Sequence, residues 1–328
     1  VYNRKGKHVS GGKTVNLKEY KGVKIKSVPT FENGKLNAIV YSVIATFLAL
    51  FGRYDVIHFH AEGPCSMIWL PRLFGIHTVA TIHGLDWQRA KWGGFATKFL
   101  KFGEKTAAKY ADELIVLSEG TRDYFKKNYG RETVFIPNGI DVQNEKKADI
   151  ITKKYGLEKD GYILFLARIV PEKGLHYLID AFMQTDIDKK LVIAGGVSHS
   201  GEYAKQIHDM AKDDRIIFTG FGEGDELWEL YYNCRMYVLP SDVEGMPISL
   251  LEAMACGCEC LVSDIDTTKN VVGEYGYTFK KSDVNDLKNK LCEILGKQKA
   301  DKAEQIEYVK NNYSWDEITD KTLTLYKR

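Results

Sequence analysis

The sequence holds only seven prolines in 328 residues and has no low-complexity tract, which excludes a proline-rich linker or a fibrous repeat. It also lacks a hydrophobic run long enough to span a bilayer. The longest, residues 38–51, is broken by Ser42 and Thr46 and falls short of the about 20 residues that a span needs, so it reads as a buried helix. No signal-peptide pattern opens the sequence, which begins at Val1 rather than at Met. Cysteine is sparse. Cys256, Cys258 and Cys260 alternate along the chain, a spacing no zinc site uses, and no histidine stands near them. With Cys65, Cys234 and Cys292 they read as free, mostly buried thiols in a reducing cytoplasm, where the Asn312-Tyr313-Ser314 sequon carries no weight. What is present is apolar mass: 44% hydrophobic residues support a large core, and about 150 residues per domain predicts two domains.

The net charge of +2 hides an asymmetry. Residues 1–140 carry 21 Lys/Arg against 11 Asp/Glu, a net +10, and the remainder carries 25 against 33, a net −8. A basic half points to an anionic partner such as a membrane surface or a phosphorylated ligand, with ordinary solvated lysine as the alternative. Nucleic acid is not expected, because no stacking-aromatic motif or recognition module appears.

Short Val/Ile-rich runs alternate with helical stretches. Strands are expected at 56–60, 78–83, 113–117 and 133–136, then at 162–167, 190–194, 215–219, 236–239 and 260–262. Helices fall near 37–51, 65–74, 95–110 and 119–128, and then near 174–183, 202–212, 225–233, 248–256 and 284–295. This alternation predicts an α/β fold of two doubly wound parallel sheets, with the chain leaving the first domain at Pro137-Asn138-Gly139. Ser10-Gly11-Gly12-Lys13-Thr14 ends like a P-loop, but Lys7 stands where that pattern needs glycine, and it reads as a basic surface loop.

Ligands of open α/β sheets bind beyond the carboxyl ends of the strands. There, Ser241-Asp242-Val243-Glu244-Gly245-Met246-Pro247-Ile248 follows a strand and leads into a helix with Pro247 at its first position and Gly257 at its C-terminal cap. Gly245 leaves room for close approach, and the amides of Met246 and Ile248 offer an anion site. Glu244 and Glu252 bracket that helix start and suit a hydroxyl-rich ligand. Arg168 and Lys173 follow the strand 162–167, where two cations can hold a diphosphate. Two surface glutamates and a solvated basic loop are the plainer alternatives.

Taken in order, these segments resemble the retaining glycosyltransferases of family 4, which have the GT-B fold. Ile136-Pro137-Asn138-Gly139-Ile140-Asp141, Ile193-Ala194-Gly195-Gly196 and Ala253-Met254-Ala255-Cys256-Gly257 extend the resemblance over nearly the whole chain. Thr81-Ile82-His83-Gly84-Leu85-Asp86-Trp87-Gln88-Arg89-Ala90-Lys91-Trp92 is most similar to bacterial enzymes of surface-polysaccharide synthesis, some of them rhamnosyltransferases. The resemblance implies two Rossmann-like domains facing a cleft, 1–140 and 141–312, with a terminal helix in 313–328 returning to the first. It implies that Glu244 binds the donor sugar with the amides of Gly245, Met246 and Ile248, and that Pro247 lies among the donor-binding residues. Glu252 would take the ribose, Arg168 and Lys173 the diphosphate, and Phe218, Gly220 and Phe221 the base. His83, with Glu244, Arg168 and Lys173, makes the catalytic set, and Asp86, Trp87, Arg89 and Lys91 form the acceptor side. No metal or cofactor is implied, and Asp264-Ile265-Asp266 is expected to cap the next element rather than bind an ion. The family's first domain opens with a strand, a glycine-rich loop and a helix, roughly 30 residues. Val1-Tyr2-Asn3-Arg4 stands where the next strand is expected, so the first domain is expected without that opening unit.

The function implied is transfer of a hexosyl or deoxyhexosyl group from a nucleotide sugar to a lipid-linked or saccharide acceptor, in the cytoplasm or at the inner face of the membrane. A non-catalytic or truncated partner of the same fold, or a sugar-nucleotide epimerase, are the alternatives. Phe95, Phe99 and Phe102 share one helical face, flanked by Lys98, Lys101, Lys105 and Lys109. Such a helix suits an anionic membrane surface, but the first domain must cover its sheet, and the phenylalanines are expected to do so.

Overall fold

The computed structural model describes residues 1–5, 17–30, 37–88, 93–196 and 201–327. The loop 10–14, Arg89 and Lys91 lie outside the described residues. The chain divides into two units: Val1–Ile136 joined by Asp320–Arg328, and Pro137–Thr319.

In the first unit β1 (Tyr2–Arg4), β2 (Glu19–Tyr20), β3 (Val23–Lys24) and β4 (Lys26–Val28) are short; β1 pairs parallel with β4, and β2 with β3 as a hairpin. The main sheet runs β5 (Val56–His60), β6 (His77–Ile82), β7 (Glu113–Val116) and β8 (Val134–Phe135) in that order, all parallel. Every residue of β6 is buried, as befits a parallel strand covered on both faces. Phe59, Ile68, Ala80, Ile82, Leu114, Val116 and Phe125 form its core. The helix Glu119–Tyr129 is capped at both ends: Ser118 Oγ accepts from the Thr121 amide at 3.2 Å, and Gly130 takes the left-handed conformation at φ 61°. Where one helix was expected at 65–74, two short ones form, Glu62–Cys65 and Trp69–Leu73.

The phenylalanines of the helix Gly94–Tyr110 do not cover the sheet. Phe95 is 72% exposed and Phe102 51%. The buried face is Leu100, Gly103, Glu104, Thr106, Ala107 and Ala108. Small residues serve there because the backbones nearly touch: a Cβ on Gly103 would lie 1.9 Å from the Glu62 carbonyl oxygen.

The second unit is one six-stranded parallel sheet in the order β11 (Ile216–Gly220), β10 (Lys190–Ala194), β9 (Tyr162–Leu166), β12 (Met236–Leu239), β13 (Cys260–Ser263) and β14 (Tyr277–Phe279). The chain winds outward from β9 in one direction and then from β12 in the other, so the strand order reverses between these two neighbours. The strand β14 and the helices Ile150–Tyr155, Asp266–Val272 and Ala303–Asn312 join those foreseen. Cys65, Cys234, Cys256, Cys258 and Cys260 are free and buried, and Cys292 is exposed.

The helix Trp315–Thr324 is shared between the units. Its start belongs with the second, where Ile140 bridges Ser314 and the Trp315 ring occupies the space a Cβ on Gly139 would need. The residues after it belong with the first: Tyr326 OH meets His58 Nδ1 at 2.7 Å, and the Leu325 carbonyl meets His77 Nε2 at 2.8 Å. Among the described residues no helix is long and apolar enough to cross a membrane.

Candidate functional site

The reversal of strand order puts the loops after β9 and β12 side by side. Gly174, at φ 66°, ends the first loop so close to the second that a Cβ would lie 1.9 Å from the Pro240 carbonyl oxygen. The Asp242 amide donates to the Glu172 carbonyl at 2.9 Å, and Tyr177 OH to Asp242 Oδ2 at 3.2 Å. This packing joins two residues that the sequence offers separately. Lys173 Nζ lies 2.5 Å from Glu244 Oε1, both side chains mostly buried, and Ser241 Oγ donates to the same oxygen at 2.7 Å. Arg168 stands exposed on the same loop, with no side-chain partner among the described residues. The result is an exposed guanidinium on the same loop as a lysine that a carboxylate already holds.

The following helix is Ile248–Ala255. Pro247 is not its first residue but its N-cap, because ψ 110° keeps it extended. Gly257, at φ 71°, closes the other end as Cys258 N–H reaches the Ala253 carbonyl at 3.0 Å. Gly245 stays outside the left-handed region. Met246 is buried and points inward: Asn138 N–H meets its Sδ at 3.1 Å, and Asn138 Nδ2 donates to its carbonyl at 3.1 Å. Ile248 is exposed at the helix start. Glu252 is half-buried; Tyr231 OH donates to its Oε2 at 2.8 Å. Burial holds its carboxyl above the usual range, an effect the Tyr231 hydroxyl partly offsets.

The base-side residues end β11. Gly195 N–H donates to the Gly220 carbonyl at 2.7 Å, and Gly220 turns the chain at φ 73°. Phe221 is exposed beyond it, next to Gly196. Phe218 is turned the other way, its ring 4.2 Å from that of His208. Asp264 Oδ1 accepts from the Lys281 amide at 2.8 Å, and Asp266 sits in the first turn of its helix.

In the first unit, His83 follows β6 and is exposed. His60, ending β5, brings Nδ1 within 3.1 Å of His83 Nε2 and stacks on His58 at 4.2 Å. Desolvation, with the neighbouring rings second, pushes His58 down to about 3 and His60 to about 4. Asp86 and Trp87 form the turn Asp86–Gln88, where Trp87 Nε1 donates to Glu104 Oε2 at 2.9 Å and Lys101 Nζ lies 4.2 Å from the indole centroid. Sequence reasoning missed Ser241, Tyr177, Tyr231 and Glu104 as supports. Only Ser241 lies within a motif; Tyr177 stands on the helix that follows the Lys173 loop, and Tyr231 and Glu104 reach Glu252 and Trp87 from helices separate from theirs in sequence.

Residues 147–312 match the family Glycosyl transferases group 1, and residues 8–144 match Glycosyltransferase Family 4. An uncharacterized glycosyltransferase of Methanocaldococcus jannaschii is 26% identical over 91% of this chain and 83% of its own length. An Escherichia coli UDP-Gal:alpha-D-GlcNAc-diphosphoundecaprenol alpha-1,3-galactosyltransferase is 27% identical over 74% of this chain; the match covers 66% of that relative. Sucrose-phosphate synthase from Thermosynechococcus elongatus superimposes with a TM-score of 0.84 at 21% identity, covering 99% of this chain and 87% of its own. Anabaena HepE, solved with UDP and glucose, gives 0.78 at 18%, covering 92% and 86%. One family description thus falls on each unit, and the chain belongs to the family 4, group 1 glycosyl transferases: it is a glycosyltransferase of the GT-B fold.

Proposed function

We propose that the chain transfers a hexosyl or deoxyhexosyl group from a nucleotide sugar to a lipid-linked or saccharide acceptor, with retention at the anomeric carbon, in cell-surface polysaccharide synthesis. The observation that carries the donor half is the arrangement after β9 and β12: exposed Arg168 on the loop of the Lys173–Glu244 pair, and the start of the helix Ile248–Ala255, which no side chain caps. A diphosphate brings the anion that Arg168 lacks, and its arrival lets Lys173 exchange one negative partner for another. Glu244 is then released toward sugar hydroxyls, and Glu252 Oε1 faces the ribose. The names of the Escherichia coli galactosyltransferase and of the HepE complex support a UDP-type donor and a diphospholipid acceptor.

In this reading the bond from the anomeric carbon to the diphosphate oxygen breaks, and the acceptor hydroxyl oxygen bonds to that carbon on the same face. The hydroxyl proton passes to the departing phosphate. Arg168, Lys173 and the helix start meet the charge on the leaving group, so no metal is required. His83 joins the catalytic set by approaching the transferred sugar, and Asp86 and Trp87 serve the acceptor side. The outward face of the helix Gly94–Tyr110, with Phe95, Phe102 and its lysines, suits docking at the inner face of the membrane.

A thermal-shift panel of nucleotide sugars tests the donor, since a ligand of the folded state raises stability by mass action. The stabilising donor is then used in a transfer assay with and without EDTA, and the product's anomeric configuration is read by NMR. Stabilisation by one donor, EDTA-insensitive transfer and a retained configuration are expected. No stabilisation by any donor, or an inverted product, overturns the reading.

A further inference from the structure

Glu62 has no exposed surface, and its carboxyl oxygens lack a well-formed hydrogen bond; the donor that bears on them is the Asp86 backbone N–H, which favours the anion but is outweighed by burial. It opens the helix Glu62–Cys65, which packs against the helix Gly94–Tyr110. What it faces there is acid: Glu104, also without exposed surface, and Asp86 of the turn Asp86–Gln88. Glu104 is well supplied. Its Oε2 takes the Trp87 indole N–H at 2.9 Å, and its Oε1 takes the hydroxyls of Tyr124 at 2.8 Å and Tyr129 at 2.5 Å.

The cations nearby sit elsewhere: Lys101, on the helix that carries Glu104, lies over the Trp87 ring, and Lys98 and Lys105 of that helix are exposed. Cys65, on the helix of Glu62, is a buried thiol pushed up by burial. The strand β5 carries His58 and His60, both held neutral. The helix Asn37–Leu50 adds only Tyr41. Among the described residues no lysine or arginine pairs with Glu62.

Two ionised carboxylates cannot share a dry site without a cation, so one of them keeps a proton. Burial, with the charges of Asp86 and Glu104 added, pushes Glu62 up to about 9. Glu62 is therefore the protonated member at neutral pH. A neutral carboxyl is a donor, and the acceptors facing it are carboxylate oxygens.

We propose that Glu62 and Glu104 share one proton, and that this pair positions Trp87 by holding its indole through Glu104. The functional sense of that device rests on the reading of Asp86 and Trp87 as acceptor-side residues; the proton itself does not. Trp87 then forms a fixed aromatic wall backed by Lys101. Losing the proton leaves two repelling anions, and Glu104 moves with the indole it holds. Glu62 and Glu104 are positioning residues and touch no substrate.

The indole N–H signal of Trp87, assigned by its loss in Trp87→Phe, reports the device by NMR without any turnover. In the native chain it moves through a transition near pH 9; in Glu62→Gln, which supplies a permanent neutral donor, it stays level over that range. Transfer follows suit: the native acceptor KM rises above that pH with kcat nearly constant, and Glu62→Gln abolishes the rise. The same titration in Glu62→Gln as in the native chain overturns the proposal. If Glu62→Gln does not fold, infrared spectroscopy of the otherwise native chain decides. In the Glu252→Gln background, which removes the other raised carboxyl among the described residues, a protonated-carboxyl band persisting at pH 7 and vanishing near 9 is expected, and its absence at pH 7 overturns the proposal. A level acceptor KM with a moving indole signal keeps the proton pair and discards the acceptor-side reading of Trp87.

Discussion

Lys173 and Glu244 form an ion pair 71 positions apart in sequence, joined because β9 and β12 are neighbours where the sheet reverses. The contact is structural in its own right, since each side chain is mostly buried and each loses a charged partner if the other goes. Removing one member of such a pair strands the other, so the single substitutions Lys173→Ala and Glu244→Ala each destabilise the second unit without unfolding it. The double variant costs less than the sum of the two by about 1 kcal/mol or more, because contacting residues are not additive. Urea unfolding of the four proteins measures this. Additivity to within about 0.5 kcal/mol means that the pair is not coupled in solution. Glu244→Ala is also expected to lose most transfer activity.

Arg168 predicts the opposite pattern. It is exposed and has no side-chain partner among the described residues, so Arg168→Ala leaves stability unchanged. Donor affinity falls by about 1.5–3 kcal/mol, roughly tenfold to over a hundredfold, as a charge-assisted contact to the diphosphate is lost. Calorimetric titration with the stabilising nucleotide sugar settles it. Unchanged affinity in Arg168→Ala and Lys173→Ala removes the diphosphate from this loop.

These two residues mark how much the sequence could disclose. Arg168 and Lys173 are legible because polar residues just past a strand's carboxyl end are where α/β ligands bind. Their different states are not legible, because the partner of Lys173 lies on another loop and only strand order brings it near. The helix Gly94–Tyr110 shows the converse. Phenylalanines at four and three spacings ordinarily mark the core face, yet here close backbone packing at Gly103 demands small residues inside and leaves Phe95 and Phe102 outside. Glu62 gave no local sign at all. A glutamate at a helix start is common, and its burial depends on a helix some forty residues on.

Glu252 carries a pH dependence. Its carboxyl is held above the ordinary range by burial, so on acidification it takes up a proton earlier than an exposed glutamate does. The neutral form is the weaker acceptor for ribose hydroxyls, and nucleotide affinity is therefore present at neutral pH and lost as pH falls through the raised value. Tyr231 OH favours the anion, so Tyr231→Phe raises the carboxyl further and moves the loss of affinity to higher pH. Nucleotide binding from pH 8 down to 5 in both proteins is the measurement. Superimposable profiles mean that Glu252 does not contact the nucleotide.

The last expectation concerns the exposed side of the helix Gly94–Tyr110, where Phe95 and Phe102 stand in solvent among Lys98, Lys105 and Lys109. An aromatic side chain contributes by burial among acyl chains, and each cation near an anionic surface adds about 1 kcal/mol. Lys101 is left out of the test because its ammonium lies over the Trp87 ring, and changing it disturbs the first unit as well. Lys98→Gln with Lys105→Gln therefore weakens binding to anionic vesicles by about 2 kcal/mol, roughly thirtyfold. Phe95→Ser lowers binding to anionic vesicles with little change in its salt dependence, since it removes apolar area and no charge. Co-sedimentation at two salt concentrations, with vesicles of rising anionic lipid content, separates the two contributions. Binding that ignores both the lipid charge and the lysine substitutions leaves the helix as a solvated surface and the basic first unit without a membrane partner.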